Sequence, residues 1–401
     1  MKFLFYQGLT NRFTLPYLIH SAVAEGFPWS VFSNPGSVQT DAGDIFILSF
    51  LTPEAPVVHT LIAELKQKFP DNVIIAGGHH VSGNPQCALN TLGIDYAVTG
   101  YADAGWCGYV TAHVKERGAQ KIIHLPEVES IDALLPCVDG LSCVPPLEIQ
   151  RGCGNACAYC AAGTYHSVTQ RTRYSISEYL RYLKKRGYTR TGFVTPQAFP
   201  ETDDTSKDEN LIEWLLDETN KSGITHTEYG IFPSEADPDI SKKNIGLIKK
   251  YCSNRIITIG CQSGSDTVLQ RLNRRFTTED SERACAYVAE EGLRPVADFI
   301  IGFPGETAEE QAATLSFARK LVLHCRARIQ IHYFIPLPGT ALEGQMPSAL
   351  SSEAVRDMEK MRSDGCLVSD YAQHIRDFQI IKPWLEGYHN TVTLFKGDIL
   401  Q

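Results

Sequence analysis

The 401-residue sequence has no long basic run, no internal repeat and no apolar stretch that approaches the length of a membrane span. Its net charge is −9, so nucleic acid and anionic membranes are poor candidates for partners. The first residues turn polar too soon for a secretory signal. Twelve cysteines in a chain without such a signal predict a cytoplasmic protein with metal chemistry rather than disulfides.

Three of these cysteines lie in one short run. Cys153, Cys157 and Cys160 have the spacing Cys-x3-Cys-x2-Cys and follow the strand-like segment 147–150. Three thiolates can hold three irons of a four-iron cluster and leave the fourth iron open to a substrate. A zinc site with His166 as fourth ligand is one alternative, and three unrelated thiols are another.

The N-terminal third predicts a Rossmann-like parallel α/β domain. Apolar segments 2–6, 44–50, 73–78 and 95–100 have the length and composition of buried strands, and a helical pattern follows the second. Ligands of such domains bind beyond the carboxyl ends of the strands. No G-x-G-x-x-G motif is present, so a nicotinamide site is disfavoured, and a ligand-free flavodoxin-like domain remains an alternative.

The middle of the chain predicts a partial (β/α)6 barrel. Strand-like runs recur at 147–150, 192–195, 227–232, 256–260, 296–302 and 329–335, with helical patterns between most of them. The predicted boundaries are a domain at 1–125, a linker at 126–146, the barrel at 147–345 and a small C-terminal extension at 346–401. We expect the extension to cover the barrel and to include a strand at 391–395.

The barrel motifs resemble those of the radical S-adenosylmethionine (SAM) superfamily. The resemblance rests on the cysteine run with Tyr159 before its last member, on the Gln-Ser-Gly-Ser element at 262–265 and on the glycine-rich segments 302–306 and 336–340. It implies that SAM is bound by Thr195, Pro196, Ser234, Glu235, Gln262, Ser263, Ser265 and Gly302. Structural alternatives are capping roles for Glu235 and Ser265. Arg171 and Arg173 are expected to be solvated rather than ligand-binding.

Segments 49–52, 76–80 and 93–100 resemble the cobalamin-binding domain that precedes many radical SAM domains. The resemblance implies cobalamin contacts from Ser49, Leu51, Thr52, Gly77, Gly78, His79 and Gly100. An Asp-x-His-x-x-Gly loop, which supplies an axial histidine to cobalt, is missing. This departure implies cobalamin without a protein histidine on cobalt, so His79 and His80 would line the tail pocket or the surface.

Taken together, the chain resembles cobalamin-dependent (class B) radical SAM methyltransferases. The family implies a [4Fe-4S] cluster on the three cysteines, SAM and methylcobalamin, with methylation of an unactivated sp3 carbon through a 5′-deoxyadenosyl radical. It also implies a small electron donor such as a ferredoxin or flavodoxin.

The methyl acceptor is predicted to be a protein or peptide side chain, with a glutamine of methyl-coenzyme M reductase in methanogenic archaea as the first candidate. A small natural product is the alternative acceptor. A methylthiotransferase is disfavoured because no second cysteine triad precedes Cys153. A non-catalytic cobalamin carrier or iron–sulfur protein is the alternative from a different functional class.

Overall fold

The computed structural model describes residues 1–116, 120–127, 129–141, 145–163, 168–199 and 211–398. The chain forms two compact units. The first comprises Met1–Pro145, Leu337–Gly344 and the described part of Gln379–Gln401, and the second comprises Pro146–Pro336 and Gln345–Phe378. Along the described ranges no helix is long and apolar enough to cross a lipid bilayer.

The first unit is built on a six-stranded parallel sheet, which confirms the predicted parallel α/β domain and contains two strands more than the four predicted. Its strands are β1 Phe3–Tyr6, β2 Trp29–Phe32, β3 Ile45–Ser49, β4 Val73–Gly77, β5 Tyr96–Thr99 and β6 Ile122–His124. Their order across the sheet is β2-β1-β3-β4-β5-β6. The helices are α1 Leu15–Ala24, α2 Ala55–Lys68, α3 His79–Gly83, α4 Pro85–Leu92 and α5 Trp106–Lys115.

Both faces of this sheet are buried. Phe3 and Phe5 pack into a cluster on one face, and Leu4 and Tyr6 pack into a separate cluster on the other. Successive side chains of a strand point to opposite faces. A continuous apolar run such as β1 therefore fits a strand that is covered by helices on both sides.

The second unit carries the remaining elements. Its strands are β7 Leu147–Glu148, β8 Gln150–Arg151, β9 Thr169–Gln170, β10 Arg190–Val194, β11 His226–Glu228, β12 Ile256–Gln262, β13 Arg294–Ile301 and β14 Arg328–Tyr333. Its helices are α6 Arg173–Lys185, α7 Leu211–Lys221, α8 Lys242–Tyr251, α9 Asp266–Arg271, α10 Thr278–Glu290, α11 Ala308–Cys325 and α12 Ser352–Ser363. The helix α13, Tyr371–Asp398, runs from the second unit into the first.

Six parallel strands of the described chain form the partial barrel that the sequence predicts. One sheet has the order β11-β10-β7 and another the order β12-β13-β14. The two sheets are joined after β11, where the Thr258 N–H donates to the Gly230 carbonyl at 2.9 Å and Ala236 bridges to Ile259. The short β8 and β9 form an antiparallel pair beside the barrel.

Side-chain caps fix where the barrel helices begin. The hydroxyls that accept a backbone N–H of the first turn belong to Thr172, Ser241, Ser265, Thr277, Thr307 and Ser351. Such caps satisfy N–H groups that have no partner within the helix. They place each helix start directly after a strand-end loop, where the predicted ligand-binding residues lie.

Four segments differ from the sequence-based predictions. The segments Trp29–Phe32 and Ile122–His124 are strands that the sequence reading missed. The predicted strand at 227–232 is shorter, since only His226–Glu228 is a strand. The predicted strand at 391–395 is wrong, because these residues continue α13. Apolar runs of only three to five residues fit a helix and a strand equally well, so hydrophobic periodicity cannot assign their secondary structure.

Gly264 gives a test of barrel packing. A Cβ atom at this position would lie 2.6 Å from Thr314 Cα and 2.9 Å from the Ala313 carbonyl, both in the α11 backbone. We expect Gly264→Ala to destabilise the protein by about 1–3 kcal/mol, because the added methyl group would have to displace the backbone of α11. Chemical denaturation measures the change.

The matched control is Gly246→Ala within α8. A Cβ atom there would meet nothing within 4 Å. Alanine is the better helix former by roughly 0.5–1 kcal/mol, so this variant should be neutral or more stable. Equal destabilisation of the two variants would contradict the packing described for Gly264.

Candidate active site

The loop after β8 presents three thiols. Cys153 and Cys160 are half-buried, Cys157 is buried, and none of them forms a disulfide. Burial raises the pKa of Cys153, and nearby Asp237, Cys160 and Cys157 raise it further, whereas a backbone hydrogen bond at Asn155 lowers it. The three thiols are therefore close enough to affect one another's ionisation.

A second loop holds the cysteine loop in place. The Ala158 N–H donates to the Leu272 carbonyl at 2.9 Å, and the Asn273 side chain donates to the Ala156 carbonyl at 3.0 Å. Ala156 has a φ of 48°, a left-handed conformation that costs an alanine on the order of 1 kcal/mol. The bond from Asn273 stabilises this turn between the first and second cysteines.

Arg274 brings a buried positive charge to the thiols. One guanidinium nitrogen lies 3.7 Å from Cys157 Sγ, and the other donates to the Gly260 carbonyl at 2.8 Å and to Asp237 Oδ1 at 2.6 Å. The side chains of Arg274 and Asp237 are only 6% and 9% exposed. In this setting the cation stabilises negative charge on sulfur.

Asp237 joins four segments of the barrel. Its Oδ2 accepts hydrogen bonds from the Asn155 side chain at 2.9 Å and from the Gln197 side chain at 2.5 Å, while its Oδ1 faces Arg274. Sequence reasoning missed both Asp237 and Arg274. Neither lies in a motif, and in a single sequence no signal distinguishes them from surface charges.

The donor set fits an iron–sulfur cluster. Three thiols come from one loop beside a buried cation, and each thiolate of a four-iron cluster ligates a different iron. A structural zinc ion would require a fourth ligand beside these three thiols. His166, the ligand of the zinc alternative, lies outside the described residues.

Four of the residues predicted to bind SAM meet beside this loop. The Thr195 N–H donates to Ser234 Oγ at 3.0 Å, and the Gln262 side chain donates to Glu235 Oε2 at 3.3 Å. Gln262 has a φ of 66° and lies at a β-bulge after Gly260. A bulge of this kind re-aims a side chain, and here the Gln262 side chain contacts Glu235. Pro196 is half-buried next to Thr195.

Three other predicted SAM residues make structural bonds. The Ser263 hydroxyl is buried and lies 3.1 Å from Thr314 Oγ1, and Ser265 caps α9, as the capping alternative states. Gly302 has a φ of 86°, and its N–H donates to Glu306 Oε2 at 2.5 Å. Glu306 Oε1 is buried and has no hydrogen-bond partner within the described residues. Such an orphan acceptor fits a site for a polar ligand.

Two acids, Glu235 and Asp298, lie next to each other beside Gln262. Burial raises the pKa of Glu235 well above its usual value, and hydrogen-bonded Asp298 raises it further. Burial also raises the pKa of Asp298 to about 7, although its bond to Glu235 lowers it. His332 Nε2 lies 3.2 Å from Asp298 Oδ1. The Glu235 side chain therefore pairs with Asp298 and Gln262 instead of capping a helix.

The predicted cobalamin residues lie at the carboxyl edge of the first unit's sheet. Ser49 and Gly77 end neighbouring strands and pair in register. Gly78 has a φ of 90°, and a Cβ there would lie 2.9 Å from Ser49 Oγ. Gly100 has a φ of 87° and lies close to the Leu125 carbonyl. These contacts explain the glycines by close packing within the sheet edge itself. The edge lies where ligands of parallel α/β sheets bind, which is compatible with cobalamin.

The two histidines at this edge differ in their surroundings. His79 is exposed. His80 is buried between Phe50 and Trp384, with its Nδ1 3.2 Å from Thr52 Oγ1. Burial lowers the pKa of His80 to about 4, so its ring is neutral at pH 7. Leu51 is 47% exposed at the same edge.

The prediction for Arg171 is wrong. The side chain is only 1% exposed, and it donates to the Glu148 carbonyl at 2.7 Å and to Ser175 Oγ at 2.9 Å. These bonds connect the start of α6 to β7, which lies just before β8 and the cysteine loop. Arg173 is exposed and lies over the Trp214 ring.

Residues 147–318 match the family model of the radical SAM superfamily. Over these residues the chain is similar to radical SAM domains. The matched range includes the three cysteines, Asp237, Gln262 and Arg274. Radical SAM domains use a [4Fe-4S] cluster and SAM.

Sequence relatives are methylthiotransferases. The threonylcarbamoyladenosine tRNA methylthiotransferase MtaB of Bacillus subtilis is 25% identical over 371 residues, 86% of this chain and 78% of that protein. The tRNA-2-methylthio-N(6)-dimethylallyladenosine synthase of Syntrophomonas wolfei is 28% identical over 273 residues, 65% of this chain and 59% of that protein.

Similar solved structures are cobalamin-dependent radical SAM enzymes. The radical SAM methyltransferase TsrM from Kitasatospora setae, with cobalamin and a [4Fe-4S] cluster bound, has a TM-score of 0.63 at 15% identity and covers 85% of this chain and 76% of its own. The cobalamin-dependent enzyme OxsB has a TM-score of 0.56 at 13% identity and covers 79% and 51%. Because both sequence identities are below 25%, these two similarities show a shared fold and nothing more.

Arg274 gives a test of the charge network. We expect Arg274→Ala to lower the unfolding free energy of the metal-free protein by about 3 kcal/mol or more, because Asp237 would remain buried and unpaired. The control is Arg275→Ala, whose ion pair with Asp239 lies at the surface. Breaking it should cost under about 1 kcal/mol. Similar losses in denaturant titrations of the two variants would refute a special role for Arg274.

Glu306 gives a test of the buried acids. Burial raises its pKa to about 7, although N–H groups of Gly302 and Phe303 lower it. The folded protein therefore keeps this proton from about pH 4.5 to 7, where the unfolded chain releases it. Stability of the metal-free protein should fall as pH rises through this window.

Glu306→Gln removes the titration. The decline in unfolding free energy between pH 5 and 7 should shrink by about 2 kcal/mol. Exposed Glu309, whose pKa is lowered by hydrogen bonds at the start of α11, supplies the control variant Glu309→Gln. That control should keep the wild-type slope. An unchanged slope in Glu306→Gln would show that this carboxyl is ionised in the folded state.

Proposed function

We propose that this protein is a cobalamin-dependent radical SAM C-methyltransferase that methylates an unactivated sp3 carbon. One observation carries the proposal: a three-cysteine barrel that matches the radical SAM model and a parallel-sheet unit with a glycine-rich carboxyl edge occur in one chain. The fold likeness to TsrM over 85% of the chain supports the same combination. When bound, the reduced cluster supplies the electron that cleaves SAM, and cobalamin supplies the methyl group.

The chain's own residues bind and orient these cofactors. Cys153, Cys157 and Cys160 would ligate three irons, and buried Arg274 would offset part of their negative charge. The polar group around Gln262 and Glu235 would contact the charged and hydroxyl groups of SAM. In the first unit, the glycine-rich edge would let the backbone approach the corrin.

A methylthiotransferase is the second candidate, because the sequence relatives carry that name. In the resembled superfamily, methylthiotransferases carry a second cysteine triad ahead of the one that corresponds to Cys153, Cys157 and Cys160. Four cysteines precede Cys153. Cys87 and Cys107 are buried in different hydrophobic clusters. This arrangement favours methyl transfer.

The acceptor is proposed from the family resemblance. A protein side chain, with the glutamine of methyl-coenzyme M reductase as first candidate, stands ahead of a small natural product. The tRNA substrates of the sequence relatives make tRNA a third candidate. Mass spectrometry of each candidate after anaerobic turnover distinguishes them by which one gains a methyl group, and a methylthio group would support the second candidate function.

The three cysteines give the direct test of the radical SAM assignment. We expect Cys153→Ala, Cys157→Ala or Cys160→Ala to abolish 5′-deoxyadenosine formation and to lower bound iron, because the cluster loses one of three protein ligands. Chromatography of the reaction products and iron determination measure these losses.

Cys366→Ala is the matched control. Cys366 is half-buried, and its Sγ donates to the Met361 carbonyl, outside the cysteine loop. This variant should keep its iron and its 5′-deoxyadenosine yield. Turnover that survives loss of Cys157 would refute the assignment, whichever acceptor is used.

A further inference from the structure

One face of the barrel is strongly basic although the chain is acidic. The segment from Arg181 to Arg190 carries five cationic side chains and no acid. Those of Arg181, Lys184, Lys185, Arg186 and Arg190 are all exposed. With Arg173 and Tyr174 at the start of α6, they form what we call the α6 basic face. It is about 20 Å long, since a helix rises 1.5 Å per residue.

Three of these cations are not neutralised. Among the described residues, no ion pair involves Lys184, Lys185 or Arg190. The one acid of α6, Glu178, pairs with Arg181. The helix dipole can account for the lysines in the last turn of α6, because positive side chains stabilise the carboxyl end of a helix. Arg190 lies beyond that helix, at the start of β10, and the dipole does not account for it.

Two acids of the neighbouring helix α7 act on lysines outside the basic face. Asp217 pairs with Lys221 at 2.5 Å. Glu213 and Asp217 also act on Lys250 of α8. Toward the basic face, Trp214 of α7 lies under Arg173. These two described acids therefore do not form ion pairs with the face.

The face lacks an apolar centre of the kind that protein partners use. The apolar residues of α6 are turned into the barrel core, namely Ile176, Tyr179, Leu180 and Leu183. Protein interfaces have an apolar core and few lysines. A phosphate backbone needs only cations and hydrogen-bond donors.

Tyrosines are interleaved with these cations. Tyr174 is 74% exposed on the same stripe of α6 as Arg181. Tyr182 and Tyr188 are half-buried. Exposed aromatic rings between cations are the surface on which unpaired bases stack while phosphates pair with the cations.

We propose that the α6 basic face binds RNA through its phosphates, with Tyr174 stacking on an unpaired base. The proposal concerns binding alone and does not depend on the methyl acceptor. It differs from the expectation, drawn from the net charge, that nucleic acid is not a partner.

The test uses the full-length protein and a fluorescent RNA hairpin with a single-stranded loop. Fluorescence anisotropy at several salt concentrations gives the affinity and its salt dependence. In Lys184→Gln/Lys185→Gln, two phosphate contacts are lost, so the slope of log K against log salt should decrease by about 1.4. Glutamine keeps the helix propensity of lysine, so α6 should remain folded.

The control pair is Lys249→Gln/Lys250→Gln. These lysines are also adjacent and lie in the last turn of a barrel helix, α8, but Lys249 pairs with Glu291 at 3.0 Å. Their loss should leave RNA affinity unchanged. Tyr174→Ala should weaken the hairpin at least about fivefold and leave a fully paired RNA duplex unaffected.

Two results would overturn the proposal. One is an RNA affinity that is the same in wild type and in Lys184→Gln/Lys185→Gln. The other is a double variant that loses binding to an acidic protein such as a flavodoxin while its RNA binding is intact, which would assign the face to a protein partner.

Discussion

The arrangement of the barrel site depends on the buried ion pair between Arg274 and Asp237. Through these two side chains the cysteine loop, the segments after β10 and β11, and the bulge in β12 are held in one network. A buried pair of this kind stabilises a fold only when its remaining donors and acceptors are satisfied. Here Asn155, Gln197 and the Gly260 carbonyl satisfy most of them.

The pair also sets the charge balance of the site. Its cation faces a thiol, whereas burial raises the pKa of the nearby acids Glu235 and Asp298. Three thiolates and two ionised carboxylates in one desolvated region would repel one another strongly. The raised pKa values lower the negative charge of the acid pair, so Arg274 acts mainly on the thiols and Asp237.

Sequence patterns predicted the parts of the molecule that repeat or that follow strands. The apolar strands of both units, the partial barrel and the cysteine run were all evident, because burial on two faces and ligand spacing leave local signals. Asp237 and Arg274 were not, because their roles arise from contacts between distant segments. The prediction for Arg171 failed for the same reason, because its burial between α6 and β7 leaves no pattern in the local sequence. Net charge averages the α6 basic face with acidic surfaces, so it does not indicate that such a face exists.

One experiment tests the central claim most directly. The protein is reconstituted anaerobically with iron, sulfide and cobalamin, and the reduced cluster is examined by electron paramagnetic resonance before and after SAM is added. The account predicts about four irons and one cobalamin per chain, with a resonance that changes when SAM occupies the open iron. About eight irons without cobalamin would instead indicate a two-cluster methylthiotransferase, and a resonance indifferent to SAM would contradict the radical SAM assignment itself.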